Sequence, residues 1–362
     1  MPDNIIKKNK QTVRIIAIAA ASVILASAAA FGYVYLNIIK LNANAARIVD
    51  KPDAVSAFAP VDRLERIEGT PSDIDEDHFS DVPEPTQEPI YNQVPINGNV
   101  INVLLLGTDV RPNQKSNGRT DSIMLLSYNR NTRTAKLISF MRDVWLHIPG
   151  RGWDRINASF TYGNIGLTVN TVNKNFNLDI QNYLVIDFEG FKKIVDKLGG
   201  IEVMLDEKEI KYINDRSSRQ LTKEAGMKLL NGEQMLIHCR NRKTGGGDFE
   251  RTQRQRDVML SIFNKAKTIN DPVLFAQVLS YALKHVQTNM TPDIIFTLGL
   301  EVLTSKEFKM EQGRIPFDNT WRYASKDGKS VISIDLSENI HLLHDCLYED
   351  GSVNKLIIKF ED

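Results

Sequence analysis

Residues 15–36 read IIAIAAASVILASAAAFGYVYL, 22 residues without a charge. About 20 apolar residues in a helix cross the hydrocarbon of a bilayer, so this run predicts a single transmembrane span. Lys7, Lys8, Lys10 and Arg14 precede it and only Lys40 closely follows it. The positive-inside bias therefore places residues 1–14 in the cytoplasm and the bulk of the chain outside. Tyr33 and Tyr35 fall near the outer end, where amphipathic rings favour the interface. The competing reading is a cleaved signal peptide, with Ala26-Ser27-Ala28 as the small-x-small site. The apolar run continues to Leu36, longer than a signal core, which favours an uncleaved anchor. Either reading delivers the remaining chain to an extracytoplasmic, oxidising space.

Lys+Arg and Asp+Glu both total 45 over 362 residues, and this balance hides a division. Residues 37–100 hold 5 basic and 12 acidic side chains, which leaves 36 basic against 32 acidic in residues 101–362. A net of +4 excludes a bulk cationic nucleic-acid binder, so any affinity for anions is local. Residues 69–95 contain five prolines, seven acids and no Lys or Arg. Prolines at 83, 85 and 89 exclude regular structure there, and residues 37–98 read as an acidic, semi-extended stalk. Cys239 and Cys346 are expected as two separate buried thiols, because a domain of this size needs no staple.

From residue 99 the texture becomes globular. Val100–Gly107 (VINVLLLG) is a continuous apolar run, as a strand buried on both faces requires. Residues 122–129, 135–141, 183–188, 201–205 and 331–335 are further strands. Helices are expected over 158–177, 189–198, 231–239, 249–269, 272–285, 292–304 and from about 337. Gly199-Gly200 stops the second of them. Strands interleaved with helices give a layered α/β domain.

The polar residues gather at strand ends. Residues 108–121 are too short and too rich in Gly, Asn and Pro for a helical crossover, so strands 100–107 and 122–129 form a hairpin. That connection brings Asp109 and Asp121 to one sheet edge with Arg119 between them. Paired carboxylates suit a hard cation such as Mg²⁺, although turn-capping aspartates, common in any loop, are the better explanation of this pair taken alone. Arg142 and Asp143 follow the third strand in the same way. The densest feature is Arg240–Arg256, RNRKTGGGDFERTQRQR. Its three glycines let backbone N–H groups approach a ligand at a helix start. Arg251, Arg254 and Gln255 share one face of the first turns, where cations oppose the helix dipole and a bound phosphate would satisfy both. The segment lacks the Gly-Lys-Ser/Thr ending of a nucleotide loop, and no zinc spacing or Gly-x-Ser-x-Gly elbow occurs anywhere in the chain. Carboxylates and arginines outside a membrane suit phosphoryl chemistry on a lipid-linked anion.

The succession NVLLLGTDVR, GRTDSIMLLSYN, LISFMRDVWLHIPG, RINASFTYGN, YLVIDFEGFKKIVDKLGGIEV and LNGEQMLIHCRNRKTGGGDFERTQRQR resembles the LytR–CpsA–Psr family over residues 99–362. The resemblance implies an α/β/α sandwich around a central mixed sheet, with a hydrophobic pocket for a lipid tail. It also implies transfer of an anionic glycopolymer, such as a teichoic acid or capsule, from a polyprenyl-pyrophosphate carrier to peptidoglycan. Matching motifs assign Mg²⁺ to Asp109 and Asp121. They assign pyrophosphate to Arg119, Arg142, Arg240, Arg242, Arg251 and Arg254, with Gln255 beside them. Asp121 or Asp143 then serves the acceptor hydroxyl. A departure is Phe140-Met141, where many members carry Ile-Pro. Two rival readings of the same residues are a polyprenyl-pyrophosphate hydrolase and a non-catalytic polymer-binding module. The pocket is expected between the helices at 158–177, 189–198 and 249–269, opening beside Arg251 and Arg254.

Overall fold

The computed structural model describes residues 98–109, 118–269, 271–291, 294–295, 298–299, 301 and 308–348. The apolar run 15–36 and the stalk lie outside these residues. Among the described residues no helix is long and apolar enough to cross a membrane.

A six-stranded mixed sheet forms the centre. Its order is β10 (Lys309–Ile315), β3 (Thr134–Phe140), β2 (Thr120–Asn129), β1 (Val100–Thr108), β6 (Asn182–Asp187) and β9 (Val286–Thr288). β1, β2 and β3 run antiparallel as successive hairpins, while β6 lies parallel to β1 and β10 parallel to β3. The expected hairpin thus forms, pairing Leu104 with Leu125 and Thr108 with Thr120 across a register shift after Gly107.

Alternation along these strands sends side chains to two different layers. Leu104, Leu106, Ile123, Leu125, Ile138 and Phe140 face α1 (Ala158–Phe176) and α7 (Leu336–Tyr348) in one large sealed core, where Phe140 and Phe176 meet at 5.0 Å. Ile101, Val103, Leu105, Leu126 and Leu184 face the other way, toward α6 (Pro272–Leu283) and a smaller cluster with Leu283 and Met290. A third cluster joins α2 (Phe188–Lys197), α3 (Glu207–Asn214), α4 (Gly232–Cys239) and α5 (Gly247–Lys267) to the ribbon of β7 (Ile201–Leu205) and β8 (Gly226–Leu230). Helices on both faces of a mixed sheet give the expected layered α/β architecture. Cys239 and Cys346 are both buried and free.

The structure corrects several element boundaries. The helix expected over 158–177 is broken at Gly163 and Asn164, whose backbone angles leave the helix. The helix expected over 292–304 lies largely outside the described residues. The strand expected at 331–335 forms as β12 (Lys329–Ile334), but its partner β11 (Trp321–Lys326) and the ribbon of β4 (Trp145–Ile148) with β5 (Gly152–Arg155) were not expected. Helix α3 was also unexpected, and a reciprocal capping box between Asp206 and Glu209 starts it.

Candidate functional site

The site forms where β1, β2 and β3 end and α5 begins. Asp109 closes the β1–β2 loop: its Oδ1 accepts the Arg119 backbone N–H at 2.7 Å, while its own N–H reaches Arg119 O at 3.3 Å. That is the turn-capping role, and it consumes one carboxylate oxygen. Asp121 turns instead toward Arg142, which donates from Nη1 to Oδ1 at 3.1 Å. The second oxygen of each aspartate has no hydrogen-bond or ion-pair partner among the described residues. The Arg119 side chain stands exposed at the same end of the hairpin.

Arg142 is the hub on the sheet side. Its Nε lies 3.4 Å from Asp143 and 3.6 Å from Asp248, and Asp143 continues to Arg155 at 3.5 Å. Burial works against the Arg142 charge, but Asp248, Asp143 and Asp121 outweigh it and raise its pKa above the ordinary arginine value. Met141 just before it is fully buried and donates its backbone N–H to Ile315 O at 2.9 Å. A proline there has no such donor, so Phe140-Met141 fixes the turn into Arg142 by a hydrogen bond where Ile-Pro would use a ring.

Asp248, which sequence reasoning left unassigned, is the common partner of three arginines. It lies 3.0 Å from Arg251 Nη2, 3.5 Å from Arg242 Nε and 3.6 Å from Arg142 Nε. The signal was available: Asp248 and Glu250 are the two carboxylates of the glycine–arginine run, and Asp248 comes first, at a helix N-terminus that favours anions. Asp248 and Glu250 in the first turn of α5 already answer much of the dipole conflict that the basic residues create. Gly246 precedes them at φ +37°, and a Cβ there would stand 2.3 Å from Glu250 Cγ, so only glycine fits this approach.

Arg251 is 3% exposed, and burial lowers its pKa to about 10 against the opposing pull of Asp248. Its Nε has no hydrogen-bond acceptor among the described residues, while Arg142 Nε and Asp248 Oδ1 have only the longer ion pairs at 3.4–3.6 Å. Buried guanidinium donors beside a cavity suit an anionic ligand.

That cavity holds about 390 Å³ and is lined by Asp121, Tyr212, Arg216, Leu236, Ile237, Arg240, Arg242, Arg251 and Gln255. Its walls come from α3, α4 and α5, the last of which is the expected helix at 249–269; the expected tail pocket beside the helices at 158–177 and 189–198 is a different, apolar space. Arg240 stacks 4.5 Å over Phe188 and has no carboxylate partner among the described residues. Tyr212 and the Arg216 guanidinium 3.8 Å above its ring are additions that the sequence did not flag.

Arg254 is not brought to the cavity. It pairs with Glu209 and Glu250 at 2.9 Å each and donates to Asn241 O at 3.2 Å, so it fastens the 240–247 loop to α3. Beside it His238 is buried, which lowers its pKa, with Glu209 opposing and Arg254 reinforcing the shift. Among the described residues no group of three or more His, Cys, Asp or Glu side chains could hold a metal. The pair Asp109 and Asp121 still fits Mg²⁺, which takes one or two carboxylates and completes its shell with phosphate oxygens and water.

The LytR_cpsA_psr family matches residues 68–339 of this chain. The polyisoprenyl-teichoic acid–peptidoglycan teichoic acid transferase TagU of Bacillus cereus is 35% identical over 202 residues, 55% of this chain and 63% of its own length. The match thus spans less than two thirds of that relative. The regulatory protein MsrR of Staphylococcus aureus is 30% identical over 258 residues, 70% of this chain and 76% of its own. Among solved structures, TagT of B. subtilis superimposes with a TM-score of 0.56 at 25% identity, covering 71% of this chain and 96% of that one. The family protein YwtF (TagT) with bound octaprenyl pyrophosphate lipid superimposes at 0.54 and 25% identity, covering 71% and 95%.

Proposed function

Because the chain belongs to the LytR–CpsA–Psr family, we propose that it transfers an anionic glycopolymer from a polyprenyl-pyrophosphate carrier to a hydroxyl of peptidoglycan. The observation that carries this reading is the buried Arg251, whose Nε has no hydrogen-bond acceptor among the described residues, in a cavity also lined by Arg240, Arg242 and Gln255. The TagU relatives are named for teichoic acid transfer to peptidoglycan, and one structural neighbour holds a polyprenyl pyrophosphate, which supports the same substrate class.

In this reading the arginines bind the pyrophosphate and stabilise the charge that develops as the acceptor oxygen bonds to phosphorus and polyprenyl phosphate departs. Asp121 lines the cavity, whereas Asp143 is held between Arg142 and Arg155, so Asp121 is the better placed to orient the acceptor hydroxyl and take its proton. Mg²⁺ on Asp109 and Asp121 would neutralise part of the pyrophosphate charge. The lipid tail lies along the less sealed face of the sheet, where Leu105, Leu126, Leu184 and Ile186 of the central strands stay half-buried. Residues 1–14, 15–36 and 37–98 then act as cytoplasmic tail, membrane anchor and stalk for an extracytoplasmic domain from residue 99.

The test supplies the protein with a lipid-pyrophosphate-linked glycopolymer, Mg²⁺ and peptidoglycan fragments. Polymer joined to peptidoglycan is the expected product, and Asp121→Ala should abolish it even at high Mg²⁺. Free phosphorylated polymer with water as acceptor would instead indicate the hydrolase, and unchanged substrate a binding module.

A further inference from the structure

The β11–β12 ribbon sits against the arginine cluster. Ile332 donates its N–H to Asp143 O at 2.9 Å, Val144 and Ile332 form a parallel bridge, and Arg155 Nη2 reaches Ser330 O at 2.5 Å. Tyr323 is the cross-strand partner of Ile332, so it stands one strand away from the Arg142-Asp143 turn. From Asp248 a row of rings leads outward over this ribbon. Phe249 and Trp321 meet at 4.6 Å, and Trp321 and Tyr323 meet edge to face at 5.2 Å. Tyr323 is 48% exposed, and its hydroxyl has no hydrogen-bond partner among the described residues. Burial, then Asp248 and Asp143, raise its phenol pKa, which places the ring within the field of both carboxylates.

A large aromatic side chain left half in water gains nothing for the fold, and here it ends a stack that starts at the site. Aromatic faces pack against the C–H faces of pyranose rings, and a free phenol can donate to a ring hydroxyl. The charges that act on the ring are Asp248 and Asp143, both already paired with arginines, so among the described residues no free charge acts on it and a neutral sugar ring is the fitting occupant. We propose that Tyr323, braced edge-on by Trp321, forms the platform on which a pyranose ring of the peptidoglycan acceptor strand stacks, presenting its hydroxyl to the cavity lined by Asp121. This proposal rests on the transferase reading, in that it assigns the acceptor side of the same site.

The test measures binding of uncross-linked peptidoglycan glycan strands to the whole protein by calorimetry, and the acceptor KM in the transfer assay. Tyr323→Ala should weaken glycan binding by roughly fivefold to tenfold, the scale of a lost aromatic contact. It should raise the acceptor KM by more than it lowers kcat, while retention of the polyprenyl-pyrophosphate donor stays at the wild-type level. Tyr323→Phe, which keeps the ring, should recover most of the loss. Wild-type glycan affinity in Tyr323→Ala, or no glycan binding by the unmodified protein, overturns the platform. Glycan binding that responds to Tyr323→Ala in a protein that transfers no polymer would keep the platform and refute the transferase reading.

Discussion

The two faces of the central sheet are made from the same strands and behave differently. On one, Leu104, Leu106, Leu125 and Ile138 are sealed at 0–1% exposure beneath α1 and α7. On the other, Leu105, Leu126, Leu184 and Ile186 are only half-buried, and the apolar residues divide into two clusters that do not merge. Close packing is the rule for protein interiors, so an unsealed apolar face at the middle of a sheet marks space for something else to occupy. The sealed face holds the fold together, and the open face is the one proposed above for the lipid tail.

Substitutions separate the two roles. Phe176→Ala on the sealed side removes a ring packed on Phe140 and should cost about 3–5 kcal/mol in thermal or denaturant unfolding, with lipid retention unchanged where the variant is folded. Leu126→Trp adds bulk to the open face. A dense core would lose about 1–3 kcal/mol to overpacking, but here stability should change by less than about 1 kcal/mol while retention of polyprenyl pyrophosphate falls at least ~10-fold. Strong destabilisation with normal lipid retention would erase the distinction between the faces.

The arginines show the same contrast between held and free groups. Arg254→Ala breaks a largely buried arrangement with Glu209 and should destabilise by about 3 kcal/mol, acting on pyrophosphate through a loosened loop. Arg240→Ala should leave stability within about 0.5 kcal/mol and weaken pyrophosphate binding by the ~1.5–3 kcal/mol of a charged hydrogen bond. Equal effects of the two on stability would show that burial does not sort them.

The smallest effect concerns His238 of α4, buried beside Glu209 and Arg254. Its pKa is lowered in the folded protein, so the unfolded chain binds more protons as the pH falls through the ordinary histidine value of about 6.5. Its stabilising contribution is present above that pH and lost below it. Denaturant titrations should show stability declining from pH 7.5 to 5.5, with a shallower decline in His238→Gln; an unchanged slope would contradict the assignment.

Much of this was legible because continuous apolar strings such as VINVLLLG have few alternatives to a buried strand. What escaped were short ribbons and helix α3, whose residues EKEIKYIN are mostly polar and depend on the Asp206–Glu209 cap. The ribbon Trp321–Lys326 alternates without a run long enough to read, which hid the aromatic row. In the site, chain order brought Asp109, Arg119 and Asp121 to one hairpin end. It could not show that Asp109 caps its own loop, that Asp248 gathers three arginines, or that Arg254 turns to Glu209. Those depend on contacts between elements far apart in sequence.

Photo-crosslinking tests the division of labour between the two faces directly. A polyprenyl pyrophosphate carrying a photoreactive group near the middle of its tail is irradiated with the protein, and the modified peptides are mapped by mass spectrometry. The account predicts labels on β1, β2 and β6 peptides at Leu105, Leu126 and Leu184, lost when excess unlabelled lipid is added. Labels on α1 or α7, over the sealed face, would contradict it.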